Sequence, residues 1–226
     1  MNLLILGRGK TGSAVAEVAL SRRHHVRVLS SADNSGASAL TSDALHSTDL
    51  VVDFTSPAAA VANAEACIRA RKNIVVGTTG WYDQVPRLRE LVRAADSGFV
   101  YGPNFSIGVN LFFEIAATAG AALKYGYSGQ IFERHHAQKK DAPSGTAITL
   151  QTIIDASGGQ EVEVVSFREG DAVGMHEVVF HSPSDRIYLC HDAQSRQGFA
   201  EGAVRAAEWL AGKTGFYEFR EVWREL

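Results

Sequence analysis

Met1-Asn2-Leu3-Leu4-Ile5-Leu6-Gly7-Arg8-Gly9-Lys10-Thr11-Gly12 decides the fold. The apolar run at 3–6 shows no alternation, as expected of a strand buried on both faces of a parallel sheet. It leads straight into Gly-x-Gly-x-x-Gly, and beyond Gly12 the residues Ala14, Val15, Val18 and Ala19 recur with helical spacing. A glycine triplet alone carries little information. Between a strand and a helix, at the head of a βαβ unit, it is the fingerprint of a dinucleotide phosphate loop. Gly7 is expected to make the tight turn, Gly9 to admit a pyrophosphate, and Gly12 to let helix and strand pack closely. The anion would rest on free N–H groups at the positive end of the helix. Gly7, Arg8, Gly9, Lys10, Thr11 and Gly12 are therefore candidate cofactor ligands.

Outward from this stretch, short β-rich runs alternate with helical patterns for about a hundred residues. Strands are predicted at 26–29, 50–54, 74–76 and 99–101. One helix starts at Ser56-Pro57, a capping residue followed by a proline suited to the first turn, and another covers 83–95. Such alternation predicts a parallel sheet with right-handed crossovers. The rhythm then changes. A long helix at 107–123 precedes β-like runs at 130–133, 162–167, 177–181 and 186–190, interrupted only by a helix beginning near Ser144. Clustered strands predict a mixed or antiparallel sheet, hence a second domain. An amphipathic helix at 199–211 and a short tail end the chain. The expected class is α/β: an N-terminal Rossmann parallel-sheet domain plus a smaller α+β mixed-sheet domain.

Composition agrees with two small domains. The 226 residues correspond to about 1.5 average domains. With 46% hydrophobic and 21% charged residues, the chain is not disordered, collagenous or coiled coil. A formal charge of -3 argues against nucleic acid as a partner. Cys67 and Cys190 form no metal-ligand spacing and are too few for a disulfide scaffold, which fits a reducing cytoplasm. No metal is expected. No apolar run approaches the roughly 18 residues of a membrane span, and the N-terminus lacks the basic region of a signal peptide. His24, His25 and His46 fall on predicted surface turns and read as solvated, Cys67 reads as core, and Trp81 and Tyr82 read as packing residues. His176, His181 and His191 lie in β-like runs.

At the end of the second strand, where a carboxylate would bind the ribose of NAD, stand Ser30 and Ser31, and the nearest acid is Asp33. With Arg8 and Lys10 beside the loop, this favours NADPH, with NADH tolerated. Two further loops follow strands. Gly77-Thr78-Thr79-Gly80 and Gly102-Pro103-Asn104-Phe105 lie where ligands of open α/β sheets bind, so Gly77, Thr78, Thr79, Gly102, Pro103, Asn104 and Phe105 are candidates to frame the nicotinamide. The same residues also suit ordinary turns.

The densest polar cluster is Glu133-Arg134-His135-His136-Ala137-Gln138-Lys139-Lys140-Asp141-Ala142-Pro143-Ser144-Gly145-Thr146-Ala147. It joins a strand to a helix start. Ser144 or Asp141 can cap that helix, and Gly145 and Thr146 offer free N–H groups to an anion. Two imidazoles and an amine stand just upstream, so a carboxylate-bearing substrate would meet positive charge and proton donors together.

This segment resembles the dihydrodipicolinate reductase family, whose signature Glu-x-His-His-x-x-Lys-x-Asp-Ala-Pro-Ser-Gly-Thr-Ala is met at every specified position. The loops at 77–80 and 104–110, Arg168-Glu169-Gly170 with Gly174 and His176, and Phe199-Ala200-Glu201-Gly202-Ala203-Val204-Arg205 extend the resemblance over nearly the whole chain. It implies NADPH- or NADH-dependent reduction of a small cyclic dicarboxylate, 4-hydroxy-tetrahydrodipicolinate, in lysine and diaminopimelate biosynthesis. By position, His135 is the proton donor/acceptor and Lys139 the proton donor. His136 and Ser144 bind substrate, and Gly145 and Thr146 hold its carboxylate. The resemblance also implies a discontinuous nucleotide domain, 1–106 with 197–226, hinges near 105–107 and 195–198, and a homotetramer built on the domain at 107–196. The adenosine side departs from the family: Ser30-Ser31-Ala32-Asp33 replaces the usual acidic-plus-basic pair, and 34–47 is compressed. Two other readings fit the residues alone: a different two-domain dehydrogenase of amino or semialdehyde acids, and a protein that senses NAD(P) without turnover.

Overall fold

The strand β1 (Asn2–Leu6) buries both faces. Leu3 and Ile5 point into one core layer, Leu4 and Leu6 into another. This follows from the two-residue period of a strand in the middle of a sheet. In the computed structural model, which describes residues 1–226, β1 is joined by α1 (Lys10–Ser21), β2 (His25–Leu29), α2 (Ser42–His46), β3 (Leu50–Asp53), α3 (Pro57–Arg69), β4 (Asn73–Val76), α4 (Val85–Ala95) and β5 (Gly98–Tyr101). Then follow α5 (Ile107–Gly120), β6 (Ser128–His135), α6 (Gly145–Gly158), β7 (Glu163–Arg168), β8 (Met175–His181) and β9 (Arg186–Asp192). The chain ends with α7 (Gln197–Leu210), β10 (Gly215–Glu218) and α8 (Phe219–Val222).

The chain forms two units, Met1–Ile107 with Arg196–Leu226, and Gly108–Ser195. The first holds a parallel sheet of six strands in the order β10-β5-β4-β3-β1-β2. The chain steps from β1 to β2 on one side and crosses to β3 on the other, so the sheet reverses direction of growth between β1 and β3. Ligands of such sheets bind beyond the carboxyl ends of the strands at that switch point. One core layer packs α1 and α7 on the sheet through Val15, Ala203 and Val204; the other packs α3 and α4 through Ala64, Ile68 and Leu88. Cys67 is fully buried, and Trp81 packs edge-on against Phe99 and Tyr101.

The short helix α2, with His46 as its last residue, falls where a turn is expected, and two further features of this unit differ from expectation. The tail is a sixth strand: β10 pairs in parallel with β5, and Phe216 stacks on Phe99 at 4.7 Å. Four residues are too few for periodicity to reveal a strand. His24 is not solvated either. Its Nε2 lies 2.8 Å from Glu208, whose other oxygen accepts from Arg22 at 2.6 Å, and together they clamp α1 to α7.

The second unit is a mixed sheet in the order β7-β6-β8-β9, with β6 parallel to β7 and antiparallel to β8. α5, long and apolar enough with the turn after it to pass for a membrane span, packs Val109, Phe112, Phe113 and Ala116 into this unit's core. α6 adds Leu150 and Ile154 to the same core. The register fixes what each face of the sheet carries. Glu133 lies opposite Ser166 on one side and His176 on the other, and His135 opposite Arg168. Alternation therefore places Glu133, His135, Ser166, Arg168 and His176 on one face with Ile131, Val178 and Phe180 of the core.

Candidate active site

In the second unit the centre of that face is a carboxylate. Glu133 is fully buried. Its Oε1 accepts from Ser166 Oγ at 2.6 Å, Arg168 Nη2 at 2.7 Å and the Ser144 backbone N–H at 3.1 Å. Its Oε2 lies 3.1 Å from His135 Nδ1 and 3.8 Å from His176 Nε2. Burial works to raise the Glu133 carboxyl, but the adjoining His135 imidazole and the hydrogen bonds from Ser144, Ser166 and Arg168 outweigh it and hold the group well below the usual carboxylate range. His176 responds oppositely. Burial, then the nearby His135, push its imidazole from 6.5 down to about 3, so it is neutral at physiological pH.

The carboxylate also sets the start of α6. Ser144 is its N-cap, accepting from the Ala147 N–H at 3.2 Å, while the Ser144 N–H is directed to Glu133. The next N–H groups, of Gly145 and Thr146, begin a 14-residue helix. A Cβ at Gly145 would meet nothing within 4 Å, so this helix end has open space for an anion. Lys139 lies on the connecting loop with Nζ 2.8 Å from both oxygens of Asp141, and Arg168 Nη2 bonds the Asp141 carbonyl at 2.6 Å. His136 is half-buried one residue past β6. His135, Ser144 and, through Asp141, Lys139 thus belong to one fabric of contacts centred on Glu133 and Arg168, with Gly145 next in the chain to Ser144. Glu133, His135 and His176 also offer three ligand-type atoms within 4.8 Å of one another. A metal ion there would share its carboxylate with the Arg168 guanidinium, an unfavourable arrangement for a second cation.

In the first unit, Gly7 has φ +101°, and a Cβ there would lie 2.1 Å from the Phe54 carbonyl; one at Gly12 would lie 2.2 Å from that of Gly7. Both sites exclude any other residue. A Cβ at Gly9 would meet nothing within 4 Å, so the N-terminus of α1 opens onto free space, as a pyrophosphate requires. A cavity beyond the strand ends is lined by Gly9, Lys10, Thr11 and Gly12 together with Gly77, Thr78 and Thr79, and by Arg196. A neighbouring cavity of about 490 Å³ is lined by Arg8, Ser30, Ser31, Asn34 and Ser35, large enough for an adenosine. The residues present fit a dinucleotide. The Gly102–Phe105 loop lines neither cavity: Phe105 turns its ring into the core against Phe219 at 4.6 Å, and Asn104 Oδ1 accepts from the Ser106 N–H at 2.9 Å.

A second buried carboxylate organises these loops. Asp53 Oδ1, at the end of β3, accepts from Thr55 N–H at 3.0 Å, Thr55 Oγ1 at 2.7 Å and Thr78 Oγ1 at 2.7 Å. Oδ2 accepts from Asn63, whose carbonyl accepts from Asn34 on the adenosine side at 2.9 Å. The sequence assigns no role to Asp53, Asn63, Arg196 or Ser166, and marks Glu133, Arg168 and His176 only as positions of the resemblance. The one available signal for Asp53 is its position as the only charge in the run at 50–54.

Comparison with known proteins follows this division. Residues 1–105 match the family described as dihydrodipicolinate reductase, N-terminus, and 108–223 match dihydrodipicolinate reductase, C-terminus. A 4-hydroxy-tetrahydrodipicolinate reductase of Christiangramia forsetii is 38% identical over all of this chain and 99% of its own length. That of Syntrophotalea carbinolica is 39% identical over 80% of this chain and 75% of its own length. Among solved structures, a dipicolinate-bound dihydrodipicolinate reductase from Paenisporosarcina sp. TG-14 superposes with a TM-score of 0.77 at 23% identity, covering 98% of this chain and 99% of that one, and shares the fold.

The titration of this cluster predicts acid sensitivity. His176 is neutral in the folded state to about pH 3, whereas its unfolded form binds a proton below about 6.5. Glu133, depressed when folded, acts in the same direction below 4.5. Unfolding free energy is expected to fall as pH drops from 6 to 4, with His176 alone contributing up to about 1.4 kcal/mol per pH unit. Denaturant titrations across this range should show that slope in the wild type and a slope smaller by that amount in His176→Gln; equal slopes would contradict the assignment.

Proposed function

The chain belongs to the dihydrodipicolinate reductase family, and we propose that its two units divide one reduction, the glycine-loop unit holding the nicotinamide cofactor and the mixed-sheet unit the cyclic dicarboxylate. It is an NAD(P)H-dependent oxidoreductase that reduces 4-hydroxy-tetrahydrodipicolinate to tetrahydrodipicolinate in lysine and diaminopimelate biosynthesis. The observation that carries the site assignment is the cluster around the start of α6: an open helix end, His135 beside a buried carboxylate, and Lys139 on the adjoining loop. Matches to both halves of the family leave neither a different dehydrogenase nor a non-catalytic sensor favoured.

Bound NADPH or NADH supplies the hydride. The chain's residues do the rest. The N–H groups of Gly145 and Thr146, with His136, hold a substrate carboxylate at the positive end of α6. As the ring accepts hydride, negative charge spreads over its conjugated system, and Lys139 and His135 stabilise and then neutralise it with a proton. Gly7 to Gly12, with Gly77 to Thr79, seat the cofactor phosphates and nicotinamide side. Of the loop at Gly102, Pro103, Asn104 and Phe105, the Gly102 N–H bonds the Val76 carbonyl beside that seat at 3.4 Å, so the loop supports the seat from behind.

NADPH is the preferred cofactor in this reading. The Asp33 carboxylate, the one acid near the ribose position, accepts from the Ser30 N–H at 2.9 Å and Ser30 Oγ at 2.6 Å, leaving Arg8 and Ser31 to face a 2′-phosphate. We also propose a homotetramer assembled through the second unit. The sheet face opposite the site carries Phe132, Val179 and a 57%-exposed Tyr188, with Phe167 on the same face at 42%. Two unpaired thiols, Cys67 and Cys190, suit the cytoplasm.

Three outcomes follow. In Lys139→Ala, kcat for the dicarboxylate should fall about 10²-fold or more while NADPH affinity holds; near-wild-type turnover would remove Lys139 from the mechanism. Steady-state comparison should give a higher kcat/KM for NADPH than for NADH, and a strong NADH preference would refute the role given to Arg8. In sedimentation velocity the wild type should run as a tetramer and Tyr188→Glu as smaller species; an unchanged profile would exclude this sheet face as the interface.

A further inference from the structure

Glu133 is too deep to touch a substrate, yet it is the group that His135 faces. Its Oε2 lies 3.1 Å from His135 Nδ1, while Oε1 is taken by Ser166, Arg168 and the Ser144 N–H. The other imidazole near Oε2, His176, is farther at 3.8 Å and has Ser144 Oγ at 3.3 Å as a closer neighbour. On the far side of the His135 ring lies Gly174, whose carbonyl is pinned by the Ala193 N–H at 3.0 Å. A Cβ at Gly174 would stand 3.0 Å from His135 Nε2 and 3.3 Å from Cδ2. The Gly174 backbone does not need glycine for its conformation, because its φ is not among the positive ones. What the missing side chain provides is clearance at Nε2.

We propose that Glu133 is a positioning residue for His135, fixing a proton on Nδ1, and that Gly174 keeps Nε2 clear as the atom that exchanges a proton with substrate. The inference rests on the assignment of His135 as the acid–base group of the reductase. In the donating step, the Nε2–H bond of the imidazolium breaks and its proton passes to the reduced ring. The Nδ1–H bond stays intact toward Glu133, leaving the neutral Nδ1–H tautomer, and solvent returns the proton to Nε2. The Arg168 guanidinium balances the buried carboxylate, and His176, kept neutral by burial, does not compete for it. Of the two imidazoles near the remaining oxygen, His135 is thus the one at hydrogen-bond distance.

Nitrogen-15 NMR of the histidine side chains in the wild-type protein tests this directly. Neutral His135 is expected as the Nδ1–H tautomer; an Nε2–H tautomer overturns the proposal whatever the variants do. Glu133→Gln presents an amide that can donate to Nδ1, so its neutral His135 should switch to Nε2–H, with kcat lowered about 10- to 100-fold and KM for NADPH unchanged. Gly174→Ala should lower kcat at least 10-fold with the Nδ1–H tautomer and thermal unfolding retained. Full activity in a folded Gly174→Ala protein would also overturn it. Wild-type turnover of the dicarboxylate, measured in parallel, tests the reductase assignment separately from the tautomer.

Discussion

A carboxylate with no exposure to water must be matched on the spot. Glu133 satisfies that demand with a guanidinium, a hydroxyl, a backbone N–H and an adjacent imidazole. Removing one partner of a buried ion pair typically costs about 3–5 kcal/mol, because the other charge is left in low dielectric. Arg168, Ser166 and Ser144 are therefore held by an energy much larger than that of a surface contact, and they hold other things in turn. Ser144 fixes where α6 begins, and Arg168 fixes the Asp141 carbonyl in the loop that carries Lys139. His135, the open N-terminus of α6 and the loop that carries Lys139 share one electrostatic anchor.

The first unit uses the same device with neutral donors. Asp53, equally buried, gathers Thr55, Thr78 and Asn63, and through Asn63 the adenosine-side Asn34. Loops after three different strands, β2, β3 and β4, are thereby tied to one point at the switch of the sheet. Hydrogen bonds to a charged acceptor contribute about 1.5–3 kcal/mol each, against about 1 for neutral pairs. An acid at this position thus pins loops that turn propensity alone would leave loosely defined.

What the sequence revealed and what it hid follow from the range of the interactions. Gly7 to Gly12 were legible because strand, turn and helix are contiguous, and the steric demands of Gly7 and Gly12 are met within fifty residues. The segment from Glu133 to Ala147 was legible as a motif, and the N-cap of α6 was readable at Ser144. The partners of Glu133 were not. Ser166, Arg168 and His176 reach it only through strand register, from 33 to 43 positions away, and no local pattern states which strands pair. Asp53 reads as one charge inside an apolar strand, His24 as a surface turn, and β10 as a tail. Each takes its role from a partner distant in sequence: Thr78, Glu208 and β5 respectively.

The cluster in the second unit has a fixed part and a yielding part, and the difference is solvent. Glu133 and Arg168 are shielded, so their pairing does not compete with water or salt. Lys139 is paired with Asp141, whose side chain is 58% exposed, and pairs of that kind contribute only about 0–1 kcal/mol. On the proposed site assignment, a dianionic substrate at the α6 terminus draws the Lys139 ammonium from Asp141 at small cost while leaving Glu133 undisturbed. Asp141 keeps the lysine extended and localised until then, and the Arg168 bond to its carbonyl limits how far the loop can follow. The arrangement orders the cation in advance without committing its charge.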